Sequence, residues 1–396
     1  MTVTDESATA TATDPDAARV DALIDQLLAE NPPESTDDQA FLEAQYDLGL
    51  AWVRFPEGYG GIGVSPKLQR TVISRVNRAG GPVGGTLNPI GYGMCAPAVM
   101  EHGTDEQKRM LRALFSNEDI WCQLFSEPEA GSDLATLGTR AVLDGDEWIV
   151  NGQKVWNSSA QHADFGILIC RTDPSVPKHN GITYFIVDMR TPGIEVRPLV
   201  QAQGVAHFNE VFFSDVRIPA ANVVGTVNDG WKVTKTTMRS ESSMISGAGQ
   251  ATTFVNVLAT VRRCGKHTDP VVRQELAKVW SNEQILRYLS MRTQTAVMTG
   301  RRDLAIHGSL LKNFFTRSFT HRATLALDCE GAEGMLSGSD AEGDGFWQYQ
   351  CINQFASKIG GGTEEVHRNN LAEQALGLPR EPAADLGTPW NQLKRG

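Results

Sequence analysis

"CQLFSEPEAGSDLATLGTRA", residues 122–141, decides how this chain is read, because the pattern of apolar residues changes on either side of it. Upstream, apolar residues recur at helical spacing. "AARVDALIDQLLAE" puts Val20, Leu23, Ile24 and Leu27 on one stripe, and "GTDEQKRMLRALF" opens on Thr104 with Gln107 three residues on, a capping-box pattern. Between these helices "FPEGYGGIGVSP" is a glycine-rich connection. Downstream, short β-type runs ("EWIV", "FGILIC", "ITYFIVDM", "IEVRPLV", "VFFSDVRI") alternate with turn signals. Asp144-Gly145 and Asn151-Gly152 are dipeptides of tight hairpins, and each is expected to reverse the chain. After Trp231 helical spacing returns: Met244, Ala248, Ala251, Val255, Leu258 and Val261 form one stripe, Leu276, Val279, Leu286 and Leu289 a second, and Leu304, Leu311, Phe314 and Phe315 a third. The expected fold is therefore α+β and multidomain. A disordered lead-in covers 1–16, an N-terminal helical domain 17–121, a β-barrel or sandwich 122–231, and a C-terminal helical bundle 232–396.

A chain of 396 residues can bury a core without staples. Its formal charge of −11 argues against nucleic-acid binding, although a local site can still oppose that sign. The six cysteines are scattered, with no C-x-x-C pair, and read as reduced core thiols of a cytoplasmic protein. The eight histidines show no metal-ligand spacing. No apolar run approaches the ~18 residues of a membrane span. "MTVTDESATATATDPDA" has neither the basic nor the apolar region of a signal peptide.

Chemistry concentrates in three stretches. In residues 122–141 and in "NGQKVWNSSAQHAD", small and hydroxylated residues such as Ser126, Ala130, Gly131 and Ser132 can present backbone N–H groups to an anionic or flat ligand. Trp156 can cover one face of a ring. On composition alone the plainer reading, a turn-rich loop and a core tryptophan, stands ahead. The third stretch is "KIGGGTEEVH", where three glycines run into Thr363, a residue suited to cap a helix that opens with Glu364 and Glu365.

Taken in order, "SEPEAGSD", "NGQKVWNSSA", "FNEVFFSDVRIP" and "GGGTEEVHRNNLAEQALGLP" resemble the acyl-CoA dehydrogenase family, from about residue 17 onward. The resemblance implies a helical domain, a β-barrel and a four-helix bundle, with FAD between the last two. It implies α,β-desaturation of an acyl-CoA thioester: a carboxylate takes the α-proton while the β-hydrogen leaves as hydride to flavin N5. By position Gln123, Phe125 and Ser126 line the flavin, Trp156 and Ser158 cover it, and Thr363 follows the catalytic loop. Ser132 lies near the pantetheine and phosphate region of the substrate. Arg263 and Gln274 match residues that clamp FAD across a subunit boundary. The resemblance further implies a homo- or hetero-tetramer and an electron-transfer flavoprotein as acceptor.

The chain departs from the pattern in several places. Glu129 replaces a glycine of the cofactor loop, Lys266 replaces an aromatic beside Arg263, and Asp328 stands where the neighbouring subunit's motif usually has Gln. The commonest family pattern also has Glu immediately before the Gly-Thr pair, where this chain has Gly361. The Gly361 N–H can still polarise the thioester carbonyl, a contact worth ~3 kcal/mol. The base must then come from elsewhere. In some relatives it lies on the first long bundle helix, and "TTMRSESSMISGAG" aligns Glu241 there, three residues before Met244 on the apolar stripe. Alternatively Glu241 complements the dipole near its helix start. A helix-borne base favours a branched or bulky acyl chain. Two other readings stay open: a non-catalytic, cofactor-binding subunit of a hetero-oligomer, and a flavin monooxygenase or oxidase on the same fold.

Overall fold

Helix α1 (Pro15–Glu30) begins where the Asp14 side chain accepts the Asp16 N–H and Pro15 fills a first-turn position that needs no donor. The computed structural model that shows this describes residues 14–245, 252–299, 304–380, 382, 385 and 387–393. The chain divides after Trp121 into two units.

In the first unit, α1 is followed by α2 (Asp38–Asp47), α3 (Gln69–Arg78), α4 (Ala96–His102), α5 (Asp105–Arg109) and α6 (Leu111–Ser116). The stripe read from the sequence forms the core: Val20, Ile24 and Leu27 of α1 pack with Phe41 of α2 and with Val72 and Val76 of α3. Trp52 stacks on both Phe55 and Tyr92, with ring centroids 5.1 Å apart in each case. The capping box at the start of α5 forms in full: Thr104 Oγ1 accepts the Gln107 N–H and the Gln107 side chain accepts the Thr104 N–H.

The second unit opens with one curled sheet. Its strands are β1 (Trp121–Leu124), β2 (Arg140–Asp144), β3 (Glu147–Lys154), β4 (Phe165–Arg171), β5 (Ile182–Asp188), β6 (Ile194–Leu199) and β7 (Phe208–Pro219), ordered β1-β4-β2-β3-β7-β6 with β5 also on β4. Leu124, Val150, Leu168, Phe185, Val211 and Val216 fill its interior. The first hairpin dipeptide turns as expected: Asp144 pairs with Glu147 around Gly145 at φ 65°. The second does not. Asn151-Gly152 lies inside β3, where the register with β7 shifts between Val150 and Gly152. This is a β-bulge. Asn151 exchanges hydrogen bonds with Asp215 of β7 at 2.9 and 3.0 Å, and a side chain at Gly152 would run into Thr139, its Cβ 2.4 Å from Oγ1. Partners distant in sequence therefore hold that dipeptide extended.

Helices α7 (Gly230–Ile245), α8 (Phe254–Arg263), α9 (Pro270–Met298), α10 (Leu304–Glu330), α11 (Phe346–Ile359) and α12 (Glu364–Asn370) complete the unit. α8 to α11 share one core, with Val257, Val261, Leu276, Val279, Leu325, Ala326 and Trp347 at its centre. The single stripe expected from Met244 to Val261 is interrupted. Thr253 caps a new helix by accepting the Asn256 N–H, the Phe254 N–H goes to Glu283 Oε2 at 2.6 Å, and Val255 is 70% exposed. Ala248, Ala251 and the Met244 side chain lie outside the described residues. All six cysteines are free thiols, and burial pushes Cys122 and Cys170 up to about 12. Among the described residues no helix is long and apolar enough to cross a membrane.

Candidate active site

Two segments of the β region meet beside α7. The first is the end of β1 with the residues just after it and carries Gln123, Phe125 and Ser126; the second follows β3 and carries Trp156 and Ser158. Lys154, last residue of β3, joins them. Strand alternation puts it on the same inward face as Trp148 and Val150, so its side chain is fully buried. Its ammonium donates to Phe125 O at 3.0 Å and to Glu127 Oε1 at 2.7 Å. Glu127 also accepts the Gly138 N–H at 2.6 Å and the Thr139 N–H at 2.9 Å. Burial alone would raise this carboxyl, but the Lys154 charge and the hydrogen bonds outweigh it and hold the pKa below the usual carboxylate range. The sequence reading assigned no role to Lys154 or Glu127. The available signal was parity: a lysine in phase with the buried residues of its strand needs an acidic partner.

The Val155 N–H donates to Ser126 O at 2.9 Å, and Asn157 Nδ2 donates to Gln123 O at 2.8 Å. Asn157 is buried and exchanges backbone hydrogen bonds with Asn209 in both directions at 3.1 Å. Trp156, immediately before this anchor, is held at φ 63° and is 60% exposed, its ring edge-on to Phe208 at 6.0 Å. It is not the core tryptophan that composition favoured: the anchored neighbours turn the indole outward. Gln123, Ser126 and Ser158 are partly exposed along the same wall. The side-chain oxygens of Asn157 and Asn209 are buried without a hydrogen-bond partner, leaving acceptor capacity behind it. An exposed indole and a row of partly exposed polar edges fit a flat ring system such as a flavin.

The wall is tied to α7. Phe125 meets the Tyr184 ring edge-on at 5.8 Å, and the Tyr184 hydroxyl shares a 3.0 Å hydrogen bond with Thr237 of α7. Position 241 falls one turn beyond Thr237 in that helix; the Glu241 side chain lies outside the described residues. Ser132 stands exposed near the tip of the loop 127–139, just past the tight turn in which Glu127 and Ala130 exchange 3.1 Å backbone hydrogen bonds. Glu129 is exposed on that turn.

Gly360, Gly361 and Gly362 connect α11 to α12. Gly361 and Gly362 are left-handed, at φ 68° and 86°. Two side chains bind the loop carbonyls. Lys312 of α10 donates to Gly360 O, and His367 of α12 bonds Gly361 O at 3.0 Å through Nε2 and Ser309 Oγ at 3.0 Å through Nδ1. Burial, aided by the Lys312 charge, holds the His367 pKa below the usual histidine range despite the Gly361 carbonyl. A neutral ring that meets both partners carries its proton on Nε2 and accepts from Ser309 at Nδ1. The Gly360 carbonyl and the Gly361 N–H belong to one trans peptide and point oppositely, so tying the carbonyl to Lys312 aims the N–H away from it. Thr363 caps α12 by accepting the Val366 N–H at 3.2 Å. Neither Lys312 nor His367 stood out in the sequence, because both are ordinary helix residues until the loop folds against them.

Arg263, at the end of α8, is engaged within its own chain: Nη2 meets the buried Glu330 Oε1 at 2.8 Å and Nε meets Glu342 Oε1 at 3.6 Å. Gln348 donates to the other Glu330 oxygen at 3.2 Å. Gln274 is exposed on α9.

Comparison with known proteins assigns this architecture to a class of oxidoreductases that act on acyl-CoA. Family models described as acyl-CoA dehydrogenase N-terminal, middle and C-terminal domains match residues 17–118, 122–216 and 228–376. "Acyl-CoA dehydrogenase IpdE1" of Mycobacterium tuberculosis is 36% identical over 340 residues, covering 84% of this chain and 86% of that protein. "Acyl-CoA dehydrogenase FadE34" of the same organism is 38% identical over 336 residues, 84% of this chain and 45% of the relative. Among solved structures, the "Tcur3481-Tcur3483 steroid ACAD" superimposes with a TM-score of 0.75 at 28% identity, over 94% of this chain and 99% of that one. The ChsE4-ChsE5 complex from Mycobacterium tuberculosis matches with a TM-score of 0.69 at 28% identity, over 94% and 100%. The chain belongs to the acyl-CoA dehydrogenase family, a family of flavoproteins of lipid metabolism.

Proposed function

We propose that this chain desaturates an acyl-CoA thioester between its α and β carbons with FAD as cofactor. The joined wall is the main support: Lys154 and Asn157 lock the 123–126 and 155–158 segments together and leave the Trp156 indole exposed beside them. Gln123, Phe125, Ser126, Trp156 and Ser158 would hold the flavin, with Thr363 contributing from the bundle. Bound FAD supplies the acceptor for the β-hydrogen. The remaining chemistry is the chain's own. The Gly361 N–H donates to the thioester carbonyl and stabilises charge as the α-proton leaves, a contact worth ~3 kcal/mol. Glu241 takes that proton, on a helix tied to the wall through Thr237 and Tyr184. Ser132 meets the pantetheine and phosphate region of CoA. Glycines at 361 and 362 keep side-chain bulk out of the loop, which suits a branched or bulky acyl group; the likeness to the "Tcur3481-Tcur3483 steroid ACAD" supports the same choice.

The test is anaerobic. FAD-loaded protein receives a panel of acyl-CoAs while flavin absorbance is followed. A bulky acyl-CoA should bleach it, and Glu241→Gln should keep flavin and bind thioester yet reduce ~10²–10⁴-fold more slowly. Equal bleaching by Glu241→Gln places the base elsewhere. Electrons should then pass to an electron-transfer flavoprotein.

A second reading, a subunit that completes its FAD site only with a related partner in a tetramer, is favoured by the commitment of Arg263 to Glu330. α11 also exposes Ile352, Phe355 and Ile359 on one stripe, and α9 exposes Trp280, Tyr288 and Met291. Retention of one FAD per chain by the protein alone would sink it.

A further inference from the structure

The matched C-terminal family domain stops at residue 376, yet residues 387–393 run back along the β region. Pro389 forms an antiparallel bridge with Pro177, the Trp390 N–H donates to Val176 O at 2.9 Å and the Asn391 N–H to Pro174 O at 3.0 Å. The side chains of this segment reach the Ser132 loop. The Trp390 indole N–H donates to Thr136 O at 3.1 Å, and its ring covers the Arg171 guanidinium, 5.0 Å from the ring centre. Arg171 is itself buried and donates to Ala135 O at 2.6 Å and to Asn180 O at 2.7 Å. Asp385 pairs with Lys178 at 2.5 Å, and the same ammonium pairs with Asp133 at 2.6 Å. Burial pulls Lys178 down, but its two carboxylate hydrogen bonds outweigh this and raise its pKa. Asp133, Ala135 and Thr136 are thus each held by the segment directly or by a cation it contacts. The other end of the loop is held by Glu127 through Gly138 and Thr139. What stays open is the tip: Pro128, Glu129, Gly131 and Ser132.

We propose that Asp385 and Gly387–Gln392 form a strap that positions the Ser132 loop for the CoA portion of the substrate, with Trp390 as its positioning residue. This rests on the reading of Ser132 as a CoA contact. Restraint at both stems costs nothing at the moment of binding, because the loop is ordered before the ligand arrives. The strap touches none of Gln123, Trp156 or Gly361 by any contact above, so it bears on thioester affinity and leaves the hydrogen-transfer steps alone.

The experiment uses the full chain loaded with FAD, as wild type, Trp390→Phe, Trp390→Ala and Lys178→Met. Trp390→Phe keeps the ring over Arg171 and loses the bond to Thr136; Lys178→Met cuts the Asp385–Asp133 link and leaves Trp390 in place. Three quantities are read: hydrogen exchange of the 133–137 amides, the dissociation constant of free coenzyme A by equilibrium dialysis, and KM against kcat for the best acyl-CoA. In Trp390→Ala, exchange should quicken and both the CoA dissociation constant and KM should rise about tenfold, the scale of one or two lost hydrogen bonds. Flavin absorbance and kcat should hold, and the other two variants should fall between. Unchanged exchange, an unchanged CoA dissociation constant, or a loss confined to kcat would each overturn the strap. If Trp390→Ala fails to fold, Trp390→Phe and Lys178→Met decide by the same criteria. A wild type that binds CoA but reduces its flavin with no acyl-CoA would refute the proposed desaturation and leave the strap to the exchange and dialysis results; a wild type that does not bind CoA refutes both.

Discussion

Replacing Lys154 with methionine keeps most of the side-chain volume and removes the ammonium. The lysine side chain is 0% exposed and that of Glu127 11% exposed, so the carboxylate would remain buried without its cation. Breaking such a pair from one side costs ~3–5 kcal/mol, and domains carry only ~5–15 kcal/mol of net stability. The pH dependence should change sign. In the wild type Glu127 has a lowered folded pKa. Its contribution is therefore full above the unfolded value and is lost as pH falls through the folded one. In Lys154→Met, burial is opposed only by the Gly138 and Thr139 contacts, and the folded pKa moves above the unfolded value. Stability then declines as pH rises between the two. Phe125 O also loses its donor, so flavin retention should weaken. The assay is denaturant unfolding of wild type, Lys154→Met and Lys154→Met/Glu127→Gln from about pH 3 to 8, with flavin content measured alongside. The double variant should recover part of the loss, because it carries no uncompensated charge. A single variant within ~1 kcal/mol of wild type, or a double variant no more stable than the single, would refute the reasoning.

Other outcomes follow from the glycine loop and the bundle. His367→Ala should slow flavin reduction ~10-fold or more while keeping FAD, with His367→Gln closer to wild type because an amide N–H can reach Gly361 O; equal rates in His367→Ala would remove the loop from the mechanism. Because the folded pKa of His367 is lowered, its contribution to stability should be present above the unfolded histidine value and lost as pH falls through the folded one, a slope that His367→Gln should abolish in acid unfolding. Gly362→Ala should cost ~1–2 kcal/mol, from a left-handed φ of 86° and a Cβ 3.0 Å from His367 Nε2, read by thermal unfolding. Arg263→Ala combined with Gln274→Ala should lower FAD occupancy; full occupancy would show that these side chains serve Glu330 and solvent alone.

The helix–strand–helix order was legible because periodicity, the capping box and Asp144-Gly145 are local signals. The failures share a cause. Asn151-Gly152 has the dipeptide of a turn, but Asp215 and Thr139, distant in sequence, hold it extended. Trp156 is apolar enough for a core, and only the anchoring of Asn157 by Asn209 and Gln123 turns it outward. Thr253 was hidden inside a stripe whose spacing ran on regardless. The residues proposed to face the ligand were reached through resemblance of motif, whereas the residues that hold them in place, Lys154, Glu127, His367 and Lys312, depend on partners that no local window contains.

These attachments differ in when they can form. The Glu127–Lys154 pair needs only residues up to 154, and Asn157 needs Asn209, so the wall proposed for the flavin can close while the bundle is still being synthesised. Trp390 reaches Thr136 only after residues 122–390 have all left the ribosome. A nascent or truncated chain can therefore close the β part of the proposed flavin wall before the proposed CoA loop is strapped. In the life of each molecule, the β half of the proposed flavin site precedes the strapped form of the proposed CoA loop.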